Sequence, residues 1–215
     1  MLLRTKYPRF GTPMCSIADA HRRSAVFDVH MGPDHVLSAG GDRRAVVRDS
    51  RTGVIVAILG SHKKSVKCVR PQPGAPNVIA TSSRDGAARI FDLRTQAGGG
   101  GQRGEGEEVA PVTTLLGIHH STTRRKSEAS VSALAFAHER ENILVTGGVA
   151  DGAVKFFDLR SLRRRVARAP TPLVHICAPS ASGTAADSRS VAWLTATADG
   201  ECILVAYAHY VLVKY

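Results

Sequence analysis

Apolar residues recur along this chain in short alternating runs, each closed by turn residues. Ser65-Val66-Lys67-Cys68-Val69 and Ser130-Val131-Ser132-Ala133-Leu134-Ala135-Phe136 alternate with the period of two that a half-buried strand requires. Asn77 to Ser82 and Asn142 to Thr146 are further β-rich runs. Each leads into an Asp-Gly turn, where Gly accepts positive φ and Asp bonds the backbone that follows. A third run then ends apolar, as in Ala87-Ala88-Arg89-Ile90-Phe91. The pattern predicts an all-β chain built from units of three or four short antiparallel strands.

The turns carry a repeat. Asp42–Asp49–Arg51, Asp85–Asp92–Arg94 and Asp151–Asp158–Arg160 share one spacing, and the last two copies are nearly identical in text. From Asp49 to Asp92 the period is 43 residues, the length of a WD-repeat propeller blade. From Asp92 to Asp158 it is 66, and Gly-rich Gln96 to Val109 supplies the excess. Residues 96–109 are expected to be a disordered loop inserted within one blade, with Ser121 to Glu128 a second loop at a blade boundary. A fourth unit starts near Ser190, where Asp199-Gly200 imitates the signature one hairpin early. The predicted organisation is an N-terminal extension (1–17) and an incomplete propeller (18–215). Its units lie at about 18–62, 63–120, 121–178 and 188–215: three blades plus a partial fourth. So few blades leave sheet edges and faces open, so the expectation is a piece of a larger propeller rather than a ring completed by another chain.

Charge changes the picture little. A net charge of +11 suits an anionic partner, but the Arg clusters fall in predicted loops without interleaved aromatics. Direct nucleic-acid contact is therefore the alternative and not the expectation. Cys15, Cys68, Cys177 and Cys202 lack zinc or redox spacing, and Cys68 and Cys202 fall within predicted strands, which suits a reducing, intracellular setting. The N-terminus is too charged for a signal peptide, and no run approaches a membrane span. A soluble nuclear or cytoplasmic protein is expected.

Candidate chemistry is sparse. Neither a nucleophile elbow nor a phosphate-binding Gly-rich loop is present, and His119-His120 has no third ligand at metal-site spacing. The histidines recur with the repeat, His21, His62 and His120 each preceding a first strand. His62, a serine of the Ser82-Ser83 pair (Ser83 in particular) and Asp85 are expected to form a hydrogen-bond set within the blade. Asp151 is the counterpart of Asp85. No enzyme activity, metal or cofactor is expected. The trailing arginines are a separate case, because the fold does not need them. Arg94 and Arg160 leave a strand end with two readings: a solvated residue paired locally with the preceding Asp, or a planar fork that docks on a partner.

The ordered combination of Ala20-His21, Ala25-Val26-Phe27-Asp28-Val29, Ser83-Arg84-Asp85-Gly86, Phe91-Asp92-Leu93-Arg94 and Gly147 to Arg160 resembles the denticleless family of WD-repeat proteins. That resemblance implies a substrate receptor of a cullin–RING ubiquitin ligase, tied to replication licensing and the cell cycle. It implies docking on the damaged-DNA-binding adaptor of that ligase through Phe91, Asp92, Arg94 and Phe157, Asp158, Arg160. It also implies protein substrates presented on the DNA sliding clamp. The alternative is a WD-repeat scaffold of a chromatin or RNA-processing complex. No copy keeps the Trp of the Trp-Asp pair. Phe91 and Phe157 retain its volume without the indole donor, while Arg48 in the first copy predicts a locally irregular blade.

Overall fold

The computed structural model describes residues 21–95, 106–120, 129–137, 140–162, 166–177, 190–197, 202–208 and 210–214. Strands β1 (Val26–Met31), β2 (His35–Gly40), β3 (Ala45–Asp49) and β4 (Ile55–Leu59) form the first antiparallel blade. The second uses β5 (Val66–Gln72), β6 (Ala75–Ser83) and β7 (Ala88–Asp92). Its outer strand β9 (Thr113–Leu116) comes after the short strand β8 (Glu108–Val109). In the third blade β10 (Val131–Ala137), β11 (Arg140–Gly148) and β12 (Ala153–Asp158) are followed by β13 (Val166–Arg168) and β14 (Val174–Cys177), with β14 on the outer edge. The partial fourth sheet holds β15 (Val191–Ala196), β16 (Ile203–Tyr207) and β17 (Tyr210–Lys214). The described residues form an all-β, incomplete WD-repeat propeller of three blades and a partial fourth.

Its core is three apolar layers between successive sheets. Phe91, on β7, lies in the layer between the first and second blades with Leu37, Leu59 and Ile79. Phe157, on β12, lies between the second and third with Leu115, Leu134 and Leu144. Val154, Leu194 and Val205 join the third blade to the fourth sheet. Because inner sheets are covered on both faces, β7 reads Ala-Arg-Ile-Phe rather than alternating cleanly. Every innermost strand slips by one residue against its neighbour, leaving Phe27, Lys67, Ser132 and Ala192 as bulge residues. Polar links tie these strands together. The Val69 amide donates to Asp28 Oδ2 at 2.9 Å, Arg70 pairs with the same carboxylate, and Ser132 donates to the Val191 carbonyl.

One feature lay beyond the sequence pattern. β8 pairs in parallel with β4, and β13 pairs in parallel with β9. In both cases the connection between a blade's third and fourth strands reaches back and covers the outer edge of the preceding blade. An unpaired edge is thereby closed. The expectation of disorder across 96–109 is corrected at its end: Glu108–Val109 is a strand, and Val109 is buried in the first layer. A single apolar residue behind a Gly-rich run gives no periodicity from which to read such a strand. Residues 96–105 and 121–128, and Asp199-Gly200, lie outside those described. β15 and β16 are the first antiparallel pair of their sheet, whereas the repeat's Asp lies between the second and third strands of its blade. In the first blade the register slips at Arg48, whose guanidinium turns to the Gly53 carbonyl at 2.7 Å, the irregularity that Arg48 predicts.

Candidate protein-docking site

Two sets of repeat residues occupy opposite ends of the blades. The turns joining second to third strands, with Asp42, Asp85 and Asp151, lie at one end. Asp49, Asp92 and Asp158 close the third strands at the other.

At the turn end, each Asp anchors a buried histidine. His62 Nδ1 lies 3.0 Å from Asp85 Oδ2 and its Nε2 2.7 Å from Thr81 Oγ1. His119 repeats this with Asp151 (2.9 Å) and Thr146 (2.9 Å), and His21 with Asp42 (2.9 Å) and Ser38 (2.9 Å). Two expectations are corrected here. The histidine of the third blade is His119, fully buried, while His120 is exposed. The hydroxyl that meets His62 belongs to Thr81, two residues back from Ser83 on the same face of β6 and so farther from the turn. Ser83 instead braces the turn, donating to the Lys64 carbonyl at 3.1 Å and accepting from the Asp85 amide at 3.1 Å.

A cation, buried in one blade and half-buried in the next, completes two of these sets. Arg89 lies against His62 and donates to Asp85 Oδ2 at 3.0 Å, with its side chain only 9% exposed. Lys155 reaches Asp151 Oδ2 at 3.1 Å and the Ile118 carbonyl at 2.8 Å. Both stand four residues after the turn Asp, where the first blade has Val46. That spacing was the available signal for them. Burial holds the imidazoles of His62 and His119 below their ordinary pKa despite their Asp partners. Burial pulls the carboxyls of Asp85 and Asp151 upward, but the His, cation and backbone bonds outweigh it. Asp151 is held at about 2 and Asp85 lower still. Neutral, hydrogen-bonded histidines packed among aliphatic layers are structural anchors. Among the described residues no group of three His, Cys, Asp or Glu side chains could hold a metal ion. Burial also pushes the Cys68 thiol to about 12, which leaves it an inert core group.

At the opposite end, Phe91 and Phe157 are buried and fix the position of the residues that follow. Arg94 closes a two-pronged ion pair on Asp92, with Nε to Oδ1 at 2.9 Å and NH2 to Oδ2 at 2.8 Å. Arg160 does the same on Asp158 at 3.2 and 3.3 Å. The arginine amides also donate to these carboxylates, each at 2.9 Å. Both readings of these arginines thus hold at once: they pair locally, yet their side chains remain 67% and 70% exposed. The pairing raises both guanidinium pKa values and lowers that of Asp158. Thr95 and Ser161 donate through their hydroxyls to the carbonyls of Asp92 and Asp158. In the first copy Thr52 bonds the Asp49 carboxylate itself, through amide and hydroxyl, and this lowers the Asp49 pKa. The second and third blades therefore present two similar guanidinium groups, each held in one orientation by its own Asp. A planar fork fixed in this way loses little rotamer freedom on meeting a partner's carboxylate or carbonyl.

Residues 53–92 match the family model for the WD domain, G-beta repeat. The match runs from before the outer strand of the first blade to Asp92. The chain is 27% identical to the denticleless protein homolog of Gallus gallus over 69% of its length and 22% of that protein's. It is 28% identical to the denticleless protein homolog of Mus musculus over 64% of its length and 20% of that protein's. With the cell division cycle protein cdt2 of Schizosaccharomyces pombe it shares 28% identity over 69% of its length and 31% of that protein's. The chain thus spans about a fifth to a third of the length of these curated relatives. The resemblance to denticleless-type WD-repeat proteins is borne out: the chain is similar to them in sequence over about two thirds of its length and carries a WD repeat at residues 53–92.

Proposed function

We propose that this chain is a non-enzymatic receptor subunit of a cullin–RING ubiquitin ligase. It docks on the ligase's damaged-DNA-binding adaptor through Phe91-Asp92-Leu93-Arg94 and Phe157-Asp158-Leu159-Arg160. The observation that carries the reading is the paired, exposed and pre-oriented Arg94 and Arg160 on adjacent blades. The fold leaves them unused, since neither side chain enters a core layer. Denticleless-type relatives support the choice of complex. In this role ubiquitin transfer belongs to the ligase's other subunits, and the propeller supplies proximity to protein substrates, including those presented on the DNA sliding clamp. Replication licensing and cell-cycle control would be its setting and the nucleus its location.

Adaptor pull-down with wild type and with an Arg94→Ala/Arg160→Ala variant tests this. The wild type should retain adaptor and the variant should lose it while keeping its β-sheet circular dichroism and unfolding midpoint. Equal recovery from the folded variant removes the two arginines from the mechanism.

A further inference from the structure

The end of the blades opposite Arg94 and Arg160 carries a second concentration of charge. A cavity of about 420 Å³ there is lined by Gly41, Arg43, Lys64, Ser65 and Arg84, three cations without a carboxylate. No salt bridge among the described residues engages the side chains of those three. A neighbouring cavity of about 450 Å³ shares Gly41 and Arg43 but includes Asp42 and Glu108 in its wall. A further cation, Lys67, stands close enough to Arg84 to feel its charge. Burial, then the nearby Arg84, lowers the Lys67 pKa.

Among the three equivalent turns, the first differs at Arg43. In the second and third copies the residue after the turn Asp is glycine, Gly86 at φ 82° and Gly152 at φ 58°. The first copy keeps the left-handed turn but places Arg43 there, at φ 71°. Side chains resist that conformation, so of the three equivalent turns only the first holds a side chain there, and it is a cation that lines the cavity.

We infer that this cavity binds the phosphate of a phosphorylated serine or threonine in a protein partner, with Arg43, Lys64 and Arg84 as its ligands. A phosphate dianion brings close to two negative charges and three acceptor oxygens, which suits a cavity lined by three cations. A nucleic-acid strand fits less well. Its continuous charge would run over Asp42 and Glu108 in the adjoining cavity. The nearby aromatic, Phe27, has its ring face occupied by Lys67 Nζ at 3.4 Å from the centroid, so it offers no stacking platform. The inference is independent of adaptor docking, and its variants leave Arg94 and Arg160 untouched.

The test uses the full chain on immobilised phosphoserine-centred peptide libraries, their unphosphorylated counterparts and a single-stranded DNA oligonucleotide. Wild type should prefer the phosphorylated library by about tenfold or more, with inorganic phosphate and added salt competing. Arg43→Gly should lose most of that preference without a lower unfolding midpoint, because glycine relieves the turn. Lys64→Ala/Arg84→Ala, which leaves the turn alone, should lose it too. Equal retention of both libraries, full phosphopeptide binding by either folded variant, or tighter binding of the DNA than of the phosphopeptides would overturn the inference.

Discussion

Asp85→Ala probes the buried network where the copies differ most. The Asp85 carboxylate accepts from His62, the Lys63 amide at 2.9 Å, the Ala87 amide at 3.0 Å and Arg89. Truncation strands a buried guanidinium, and removing one partner of a buried pair costs about 3–5 kcal/mol. Asp42 holds His21 and the Arg44 amide but has no cation at the equivalent place, only Val46. Its loss should cost about 1–3 kcal/mol, the range for hydrogen-bonding groups left unsatisfied. Asp85→Ala should therefore exceed Asp42→Ala by about 2 kcal/mol, a large share of a typical total of about 5–15 kcal/mol. Urea unfolding of the full chain, followed by fluorescence of Trp193 and by circular dichroism, measures the difference. Asp85→Ala/Arg89→Met should recover part of the loss, since the stranded charge goes with its partner. Equal destabilisation by Asp85→Ala and Asp42→Ala, with no recovery in the double variant, would refute the cation's place in the network.

Other outcomes follow from the same geometry. Phe91→Ala empties a fully buried site between blades and should cost about 3–5 kcal/mol, seen as a lower urea midpoint, whereas Phe91→Leu should cost far less. His62 and His119, and the half-buried His30, have folded pKa values below 6.5. The unfolded chain thus binds protons first, and stability should fall as pH drops below about 6.5. A second loss follows as pH falls from about 3.8 towards 2, where these carboxyls take up protons in the unfolded chain while the depressed Asp85 and Asp151 stay ionised in the folded one. A urea midpoint that is flat between pH 7.5 and 5.5 would contradict the histidine part. Gly148→Ala should destabilise the third blade, because a Cβ there would stand 1.9 Å from Asp151 Oδ1 and 2.4 Å from His119 Nδ1. Melting curves would show no shift if those two side chains could move aside.

The sequence made the blades legible because each strand is short, apolar and bounded by a turn with fixed chemistry. Asp85-Gly86 and Asp151-Gly152 set the period, and Phe91 and Phe157 showed where an aromatic must be buried. Bonding partners were harder to read. Ser82 faces the opposite side of β6 from Thr81 and Ser83, which differ only in distance from the turn, and adjacent His119 and His120 differ only in which one enters the layer. A strand's pleat and a bulge decide such choices, and composition does not record them. The edge strands β8 and β13 were hidden for another reason: their pairing partners belong to a different blade, so local pattern carries no trace of them. For Arg94 and Arg160 the spacing located the residues, and the structure added the Asp forks that orient them.

Titration of the purified adaptor against wild type, Arg94→Ala, Arg160→Ala and the double variant tests adaptor docking most directly. If both arginines anchor the interface, each single variant should weaken binding by about tenfold or more and the double variant should fall further. Arg51→Ala, whose Asp49 carboxylate is bonded by Thr52, should bind as wild type does. Wild-type affinity in a folded double variant, or no adaptor binding by the wild type, would contradict the account.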